Sequence, residues 1–369
     1  MIYHVFKGYI YHLSPSIINS ILNHAGETSK NGIKDHFFYI SFTQSKTALK
    51  TPNEAVFKEI FSKYQFNNYK FITEKTDLLK IINKKNKKND SYIFHNSCVP
   101  YRYQLLFYFK IWFYRIPRAT LVCWGECDFI ISSFFKKHLW LFRLLFGWLF
   151  RSLAYIITLS QADYESCKKI HRKTNVLFLE YFNDTVTALR TNHLKKAPYI
   201  TIMISHSGWE HNRHHESFEK ILKFKDEDIR IICPLCYGNQ EYIESVISKG
   251  KQMFGDKFTY FTELKPREEY IQLIRTIDVY ITSAANQTGL FAAYTSVLSG
   301  AKVYATGNIL SSFRSYGINI QDINDLTAEQ FDLFKEKVSD NVYQKNIQAY
   351  EKLKNTDFKT KQWQIIFNH

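Results

Sequence analysis

The feature that most constrains this chain is an alternation of short β-rich runs with longer segments of mixed polarity, and the alternation occurs twice. Residues 3–6, 37–42, 69–72, 92–95, 120–124 and 155–159 are rich in Tyr, Phe, Val, Ile and Thr, and helix-length segments separate them. The first such segment opens Ser14-Pro15-Ser16, a favourable helix start with proline in the first turn. Between 181 and 198 the pattern lapses into polar residues that end Lys195-Lys196-Ala197-Pro198. It then restarts, with runs at 199–204, 229–233, 258–261, 278–282 and 301–305. Strands alternating with helices predict parallel sheets covered on both faces. The chain is therefore read as α/β, with two Rossmann-like parallel-sheet domains facing an interdomain cleft. The expected boundaries are residues 1–180, a linker at 181–198, residues 199–340, and a helical segment at 341–369 whose Trp363 packs back on the first domain.

Composition limits the partners. A chain of 369 residues exceeds the ~250–300 that one core sustains. Aromatics at 17% exclude a disordered chain. The formal charge of +15 points to an anionic partner: anionic lipid, a nucleoside diphosphate or nucleic acid. No helix-turn-helix, zinc-finger or RNP-type signature is present, so nucleic acid is set aside. The N-terminus runs into a strand pattern with no secretory signal, which predicts a cytoplasmic location and six reduced cysteines at 98, 123, 127, 167, 233 and 236.

In doubly wound sheets ligands sit beyond the carboxyl ends of the strands. Three loops there, all in the second domain, combine small, polar and glycine residues. The first, residues 205–215, contains Ser207, Gly208 and Asn212, and the second contains Tyr237, Gly238 and Asn239. The third contains Gln287, Thr288 and Gly289 just before a helix. Small residues let the backbone approach a phosphate, and a helix N-terminus attracts negative charge. Together the loops predict a nucleoside diphosphate site, although each alone also reads as an ordinary cap. His206, His211, His214 and His215 lack an acidic or cysteine partner at zinc-ligand spacing, and Cys233-x-x-Cys236 lacks a second pair, so no metal is expected.

In the first domain Trp124-Gly125-Glu126-Cys127-Asp128 follows a strand run. Either carboxylate, Glu126 or Asp128, is placed to take a proton from an attacking hydroxyl, or to cap a helix. His95 ends another strand run and is a further candidate. Segments 101–118 and 134–151 carry Arg102, Lys110, Arg115, Arg118, Lys136, Lys137, Arg143 and Arg151, many aromatics and no acid. That composition suits helices lying on an anionic membrane surface, with Lys136, Lys137, Arg143 and Arg151 as contacts. Arg143 and Arg151 leave too short an apolar run for the ~20 residues of a span.

At these loops the sequence resembles the bacterial TDP-fucosamine (4-acetamido-4,6-dideoxygalactose) transferase family of enterobacterial common antigen synthesis. Ser207-Gly208 with Asn212 and His214 is similar to its Asn-Ser-Gly loop, and Pro234 with Tyr237 to its Val-Pro-Met-Gly-Tyr strand end. Tyr270, Leu273, Arg275 and Asp278 fall in a similar helix-to-strand step, and Gln287 with Gly289 matches its Gln-Gln-Gly-Ile-Gly turn. In the first domain the likeness covers Trp124-Gly125 before an acid, and His95. The sequence departs where His206 replaces the loop Asn, where Phe291 falls at the second turn glycine, and in the spacing of Glu126 and Asp128 from Gly125. The resemblance implies a GT-B fold with the donor bound by the second domain. It implies a glycosyltransferase moving a fucose-type or acetamido-dideoxy sugar from a nucleoside diphosphate sugar to a lipid-linked or oligosaccharide acceptor of a cell-surface glycan. It also implies work without a bound metal, peripherally at the inner face of a bacterial inner membrane. A soluble nucleotide-sugar epimerase or hydrolase, and a non-enzymatic membrane scaffold of glycan assembly, are the rival expectations.

Overall fold

The computed structural model describes residues 1–7, 14–41, 54–72, 89–95, 104–114, 116, 118–123, 138–171, 173–179, 188–190, 198–285 and 287–368. The chain divides into two compact units, Met1–Asp184 with Asn355–His369, and Thr185–Lys354.

The first unit is built on a parallel sheet of seven strands: β1 (Ile2–Lys7), β2 (His36–Ser41), β3 (Tyr69–Ile72), β4 (Ser91–His95), β5 (Ala119–Cys123), β6 (Leu153–Thr158) and β7 (Val176–Phe178). Their order is β3-β2-β1-β4-β5-β6-β7. β4 and β5 are buried along their whole length, as unbroken Tyr-Ile-Phe and Thr-Leu-Val-Cys runs require of strands covered on both faces. One face packs on the helices Gln104–Phe113 and Leu139–Phe150 through Tyr108, Ile111, Leu149 and Phe150. The other packs on the helix Ser14–Thr28 through Ile17, Ile18 and Ile21, and on the helix Thr356–Asn368 through Trp363, Ile366 and Phe367. The helical tail thus divides. The helix Asp340–Leu353 belongs to the second unit, and the fully buried Trp363 joins the core of the first.

The second unit repeats the plan with six parallel strands, in the order β10-β9-β8-β11-β12-β13. These are β8 (Ile200–Ile204), β9 (Ile229–Pro234), β10 (Phe258–Phe261), β11 (Val279–Ile281), β12 (Lys302–Ala305) and β13 (Gln321–Asp322). In each sheet the strand order reverses beside the first strand, between β1 and β4 and between β8 and β11. Loops leaving the carboxyl ends at such a reversal diverge and open a crevice. The edge strands β7 and β13 had no counterpart in the sequence pattern, being three and two residues long.

Candidate active site

The three loops singled out in the second unit leave β8, β9 and β11, the strands at and beside the reversal. Just past β8, Ser205 takes the left-handed conformation (φ 57°) and donates its backbone N–H to Ile281 O of β11 at 2.9 Å. The chain then folds back on itself. The fully buried Asn212 donates from Nδ2 to Ser207 O at 2.7 Å and to Ser207 Oγ at 2.8 Å. Arg213 (φ 50°) turns the chain into the helix His214–Ile221.

The β9 loop is stitched to the β8 loop along its backbone. Gly208 N donates to Tyr237 O at 2.7 Å, and Asn239 N donates to Gly208 O at 3.0 Å. Asn239 is also the N-cap of the helix Gln240–Phe254, accepting from Glu241 N at 2.9 Å and Tyr242 N at 3.3 Å. Its amide donates to Glu210 Oε1 at 2.6 Å. The carbonyl oxygen of Asn239 is therefore occupied by capping, a role worth ~1 kcal/mol.

His206 joins the third loop to the first. Its Nε2 lies 3.2 Å from Ser207 Oγ and 3.1 Å from Thr288 Oγ1. Ser207 is also hydrogen-bonded to Tyr237, whose phenol burial pushes up to about 12. A chain Tyr237–Ser207–His206–Thr288 thus crosses all three loops. Gly289 (φ 68°) caps the helix Leu290–Leu298, and a Cβ there would lie 2.4 Å from His206 Nδ1. The glycine is required by the imidazole packed against it. Gln287 Oε1 and Asn212 Oδ1 are buried beside this network with no hydrogen-bond partner among the described residues.

Sequence reasoning treated His206 as a departure from a motif and missed it as the hub. It also missed Gly307 (φ 54°), whose absent Cβ leaves room for Ala285 O and lets Asn308 N donate there at 2.9 Å. The signal was present in a small Thr306-Gly307 pair directly after β12. His214 lies fully buried with neither ring nitrogen hydrogen-bonded among the described residues, and burial lowers its pKa to about 3. No metal-holding cluster of His, Cys, Asp or Glu occurs among the described residues. Cys233 and Cys236 are free thiols held protonated by burial, Cys233 strongly and Cys236 with a pKa raised to about 11. Cys167 is disulfide-bonded, which corrects the expectation of six reduced cysteines. Pairing depends on tertiary neighbours that spacing does not reveal.

In the first unit His95 ends β4, fully buried, its ring stacked on Phe6 with centroids 3.8 Å apart. Its Nε2 lies 3.0 Å from His4 Nδ1, and His4 Nε2 lies 2.8 Å from His36 Nδ1. Glu126, Asp128, Lys136 and Lys137 lie outside the described residues, as does the side chain of Arg143, whereas Arg151 is exposed.

Two parallel sheets, each reversing beside its first strand, with glycine-containing loops at the second reversal, are the architecture of the GT-B glycosyltransferases. Solved structures share it. The N-terminal domain of a trehalose-6-phosphate phosphatase from Candida albicans has a TM-score of 0.64 at 12% identity, covering 98% of this chain and 94% of that one. A UDP-forming α,α-trehalose-phosphate synthase from Burkholderia xenovorans has a TM-score of 0.59 at 8% identity, covering 99% and 98%. TarM from S. aureus, solved with UDP, has a TM-score of 0.53 at 14% identity, covering 80% and 58%. These likenesses define the fold class. The profile of the family described as 4-alpha-L-fucosyltransferase, glycosyl transferase group 56, matches residues 2–293, and the chain belongs to that family. It is a nucleotide-sugar-dependent glycosyltransferase.

Proposed function

We propose that the enzyme moves a fucose-type or acetamido-dideoxy sugar from a dTDP, UDP or GDP donor to a lipid-linked or oligosaccharide acceptor of a bacterial cell-surface glycan. The donor diphosphate is bound by Ser207, Gly208, Asn212, Tyr237, Gly238, Asn239, Gln287, Thr288 and Gly289. The observation that carries this reading is the hydrogen-bonded chain Tyr237–Ser207–His206–Thr288, which holds three strand-end loops together beside a helix N-terminus. Glu126 or Asp128 takes the acceptor's proton if the reaction inverts the anomeric centre, with His95 the third candidate. Within this reading no bound metal is required, and the sugar class follows the resemblance to the TDP-fucosamine transferases of enterobacterial common antigen synthesis.

The acceptor is met at the inner face of the inner membrane. The helices Gln104–Phe113 and Leu139–Phe150 support this with an exposed face of Phe109, Trp112, Phe113, Trp140, Leu144, Leu145 and Trp148. No helix among the described residues is long and apolar enough to cross a membrane.

The test is a thermal-shift screen of the full chain against UDP, dTDP, GDP and CMP. One diphosphate should stabilise the protein selectively, by ~2.7 kcal/mol at a hundredfold excess over its Kd. No shift with any of the four sinks the donor site.

A further inference from the structure

The buried histidines of the first unit form a directed line. His95 stands at the carboxyl end of β4, His4 in the middle of β1, and His36 at the start of β2. His36 Nε2 lies 3.1 Å from Ser29 Oγ. That hydroxyl also lies 3.0 Å from Ala25 O and 2.8 Å from Gly32 O. Carbonyl oxygens only accept, and the hydroxyl has one proton. If that proton pointed at His36, two carbonyl lone pairs would face the hydroxyl oxygen unmatched. Ser29 therefore donates to a carbonyl and accepts from His36 Nε2–H.

The rest follows ring by ring. With Nε2 protonated, His36 Nδ1 is an acceptor, so His4 donates to it from Nε2–H. His4 Nδ1 is then an acceptor, and His95 donates to it from Nε2–H. We infer that Ser29, His36 and His4 are positioning residues that hold His95 in a single tautomer, with its proton on Nε2 and its lone pair on Nδ1. Burial opposes a charge on any of the three rings. The pKa of His36 is lowered to about 4, and those of His4 and His95 go well below the ordinary histidine value. Asp35 pulls His36 the other way and the N-terminal ammonium pushes it further down. The edge of Phe367 closes over His4 and His36. The consequence is a fully buried His95 whose Nδ1 can accept a hydrogen bond but cannot donate one. Its use in turnover rests on the reading of His95 proposed above. The tautomer itself does not.

Long-range 1H–15N spectra of the full chain labelled with 15N-histidine test the lock, with His95→Gln assigning the ring. At pH 7 His95, His4 and His36 should all show the Nε2–H pattern. Ser29→Ala removes the last acceptor and should let His95 populate the Nδ1–H form, while Ser29→Thr, which keeps a hydroxyl, should restore the lock. A wild-type His95 that is Nδ1–H or charged at pH 7, or a spectrum unmoved by Ser29→Ala, overturns the inference. Release of nucleoside diphosphate from UDP, dTDP and GDP sugars separates the two claims. If His95 serves the reaction, Ser29→Ala lowers kcat by roughly tenfold or more at unchanged donor KM. A shifted tautomer with unchanged kcat leaves the lock standing and removes His95 from the reaction.

Discussion

The backbones of Gly208 and Gly238 pair where neither residue has room for a side chain. A Cβ on Gly238 (φ 150°) would sit 2.1 Å from Gly208 O, and one on Gly208 would sit 2.2 Å from Ile243 Cγ1. Both obstacles are close-packed, one of them backbone, so neither can step aside cheaply. This crossing joins the β8 and β9 loops and fixes the floor of the candidate donor site.

Gly238→Ala should therefore part the two loops. We expect a stability loss of roughly 2–4 kcal/mol by denaturant titration, and nucleotide binding weakened at least tenfold by calorimetry. Gly255→Ala is the control, because Gly255 shares a left-handed φ (54°) but a Cβ there meets nothing within 4 Å. It should cost roughly 1–3 kcal/mol in backbone strain and leave binding intact. Equal effects of the two substitutions would show that conformational strain, not the loop crossing, is what matters.

Gly289 tests a different contact. Gly289→Ala drives a methyl group into His206 and should displace that ring from Ser207 and Thr288. His206→Ala vacates the same space. The double variant should bind nucleotide better than the sum of the single losses predicts, a coupling of about 1 kcal/mol or more. Strict additivity would mean that the two residues do not meet in solution.

The sheets were legible because their strands are β-rich runs set off by helix-length segments, and every such run read from the sequence is a strand. β7 and β13 were not, since strands of three and two residues at a sheet edge carry no period. The loops were legible as strand ends with small residues, but the partners within them were not. Nothing in the order of residues says that His206 meets Thr288, or that Asn239 spends its carbonyl on a helix cap. The histidine line was invisible for the same reason. His4 and His95 are 91 residues apart and meet only because β1 and β4 pair.

The cysteine pair should be chemically silent. Cys233 is completely buried in the core, and Cys236 donates to Glu263 O at 3.1 Å. With both thiols held protonated, native protein should not react at either position with a disulfide reagent at pH 7 over an hour. Cys233→Ala with Cys236→Ala should keep most activity and cost roughly 1–3 kcal/mol in packing. Stoichiometric zinc released by the substitutions would show that the pair is a ligand set.

Acid should unfold the first unit before the second. Burial lowers the folded-state pKa of the fully buried His4, His36 and His95 in the first unit; in the second it lowers that of the fully buried His214 and, against more solvent, those of His211 and His215. Unfolded histidines titrate near ~6.5, so below that pH the unfolded chain binds more protons and stability falls. Each buried ring contributes up to about 1.4 kcal/mol per pH unit, until the folded group itself titrates, near pH 4 for His36 and near pH 3 for His214. Above pH 7 the contribution is fully present and stability should be flat. Fluorescence of single-tryptophan variants can separate the units, because Trp363 lies in the core of the first and the half-buried Trp209 belongs to the second. Between pH 6 and 5, Trp363 should report unfolding at lower denaturant than Trp209. Coincident transitions that do not move with pH would show that these rings are solvated or charged.

The last prediction concerns the aromatic face of the helices Gln104–Phe113 and Leu139–Phe150. The two helices pack side by side, with the rings of Trp112 and Trp148 4.5 Å apart, edge to face. Their inner residues Tyr108, Ile111, Leu149 and Phe150 fill the core, while Trp140 and Leu144 stand 65% and 69% exposed. Sequence reasoning placed the membrane contact in basic, aromatic-rich helices and named four basic residues as the contacts. The exposed rings and leucines add an apolar part, each gaining roughly 1.5 kcal/mol or more if it is taken from water into an interface. A basic residue near an anionic surface adds about 1 kcal/mol, screened by salt. Two variants separate the contributions. Lys136→Gln with Lys137→Gln, Arg143→Gln and Arg151→Gln should weaken flotation with anionic vesicles and lose little more in high salt. Trp140→Ser with Leu144→Ser should weaken flotation equally at low and high salt, and with neutral vesicles too. Melting temperature and nucleotide response, measured alongside, check that each variant is folded, and Trp140, Leu144 and Arg151 are exposed. Flotation unchanged in both would leave the acceptor to reach the enzyme from solution.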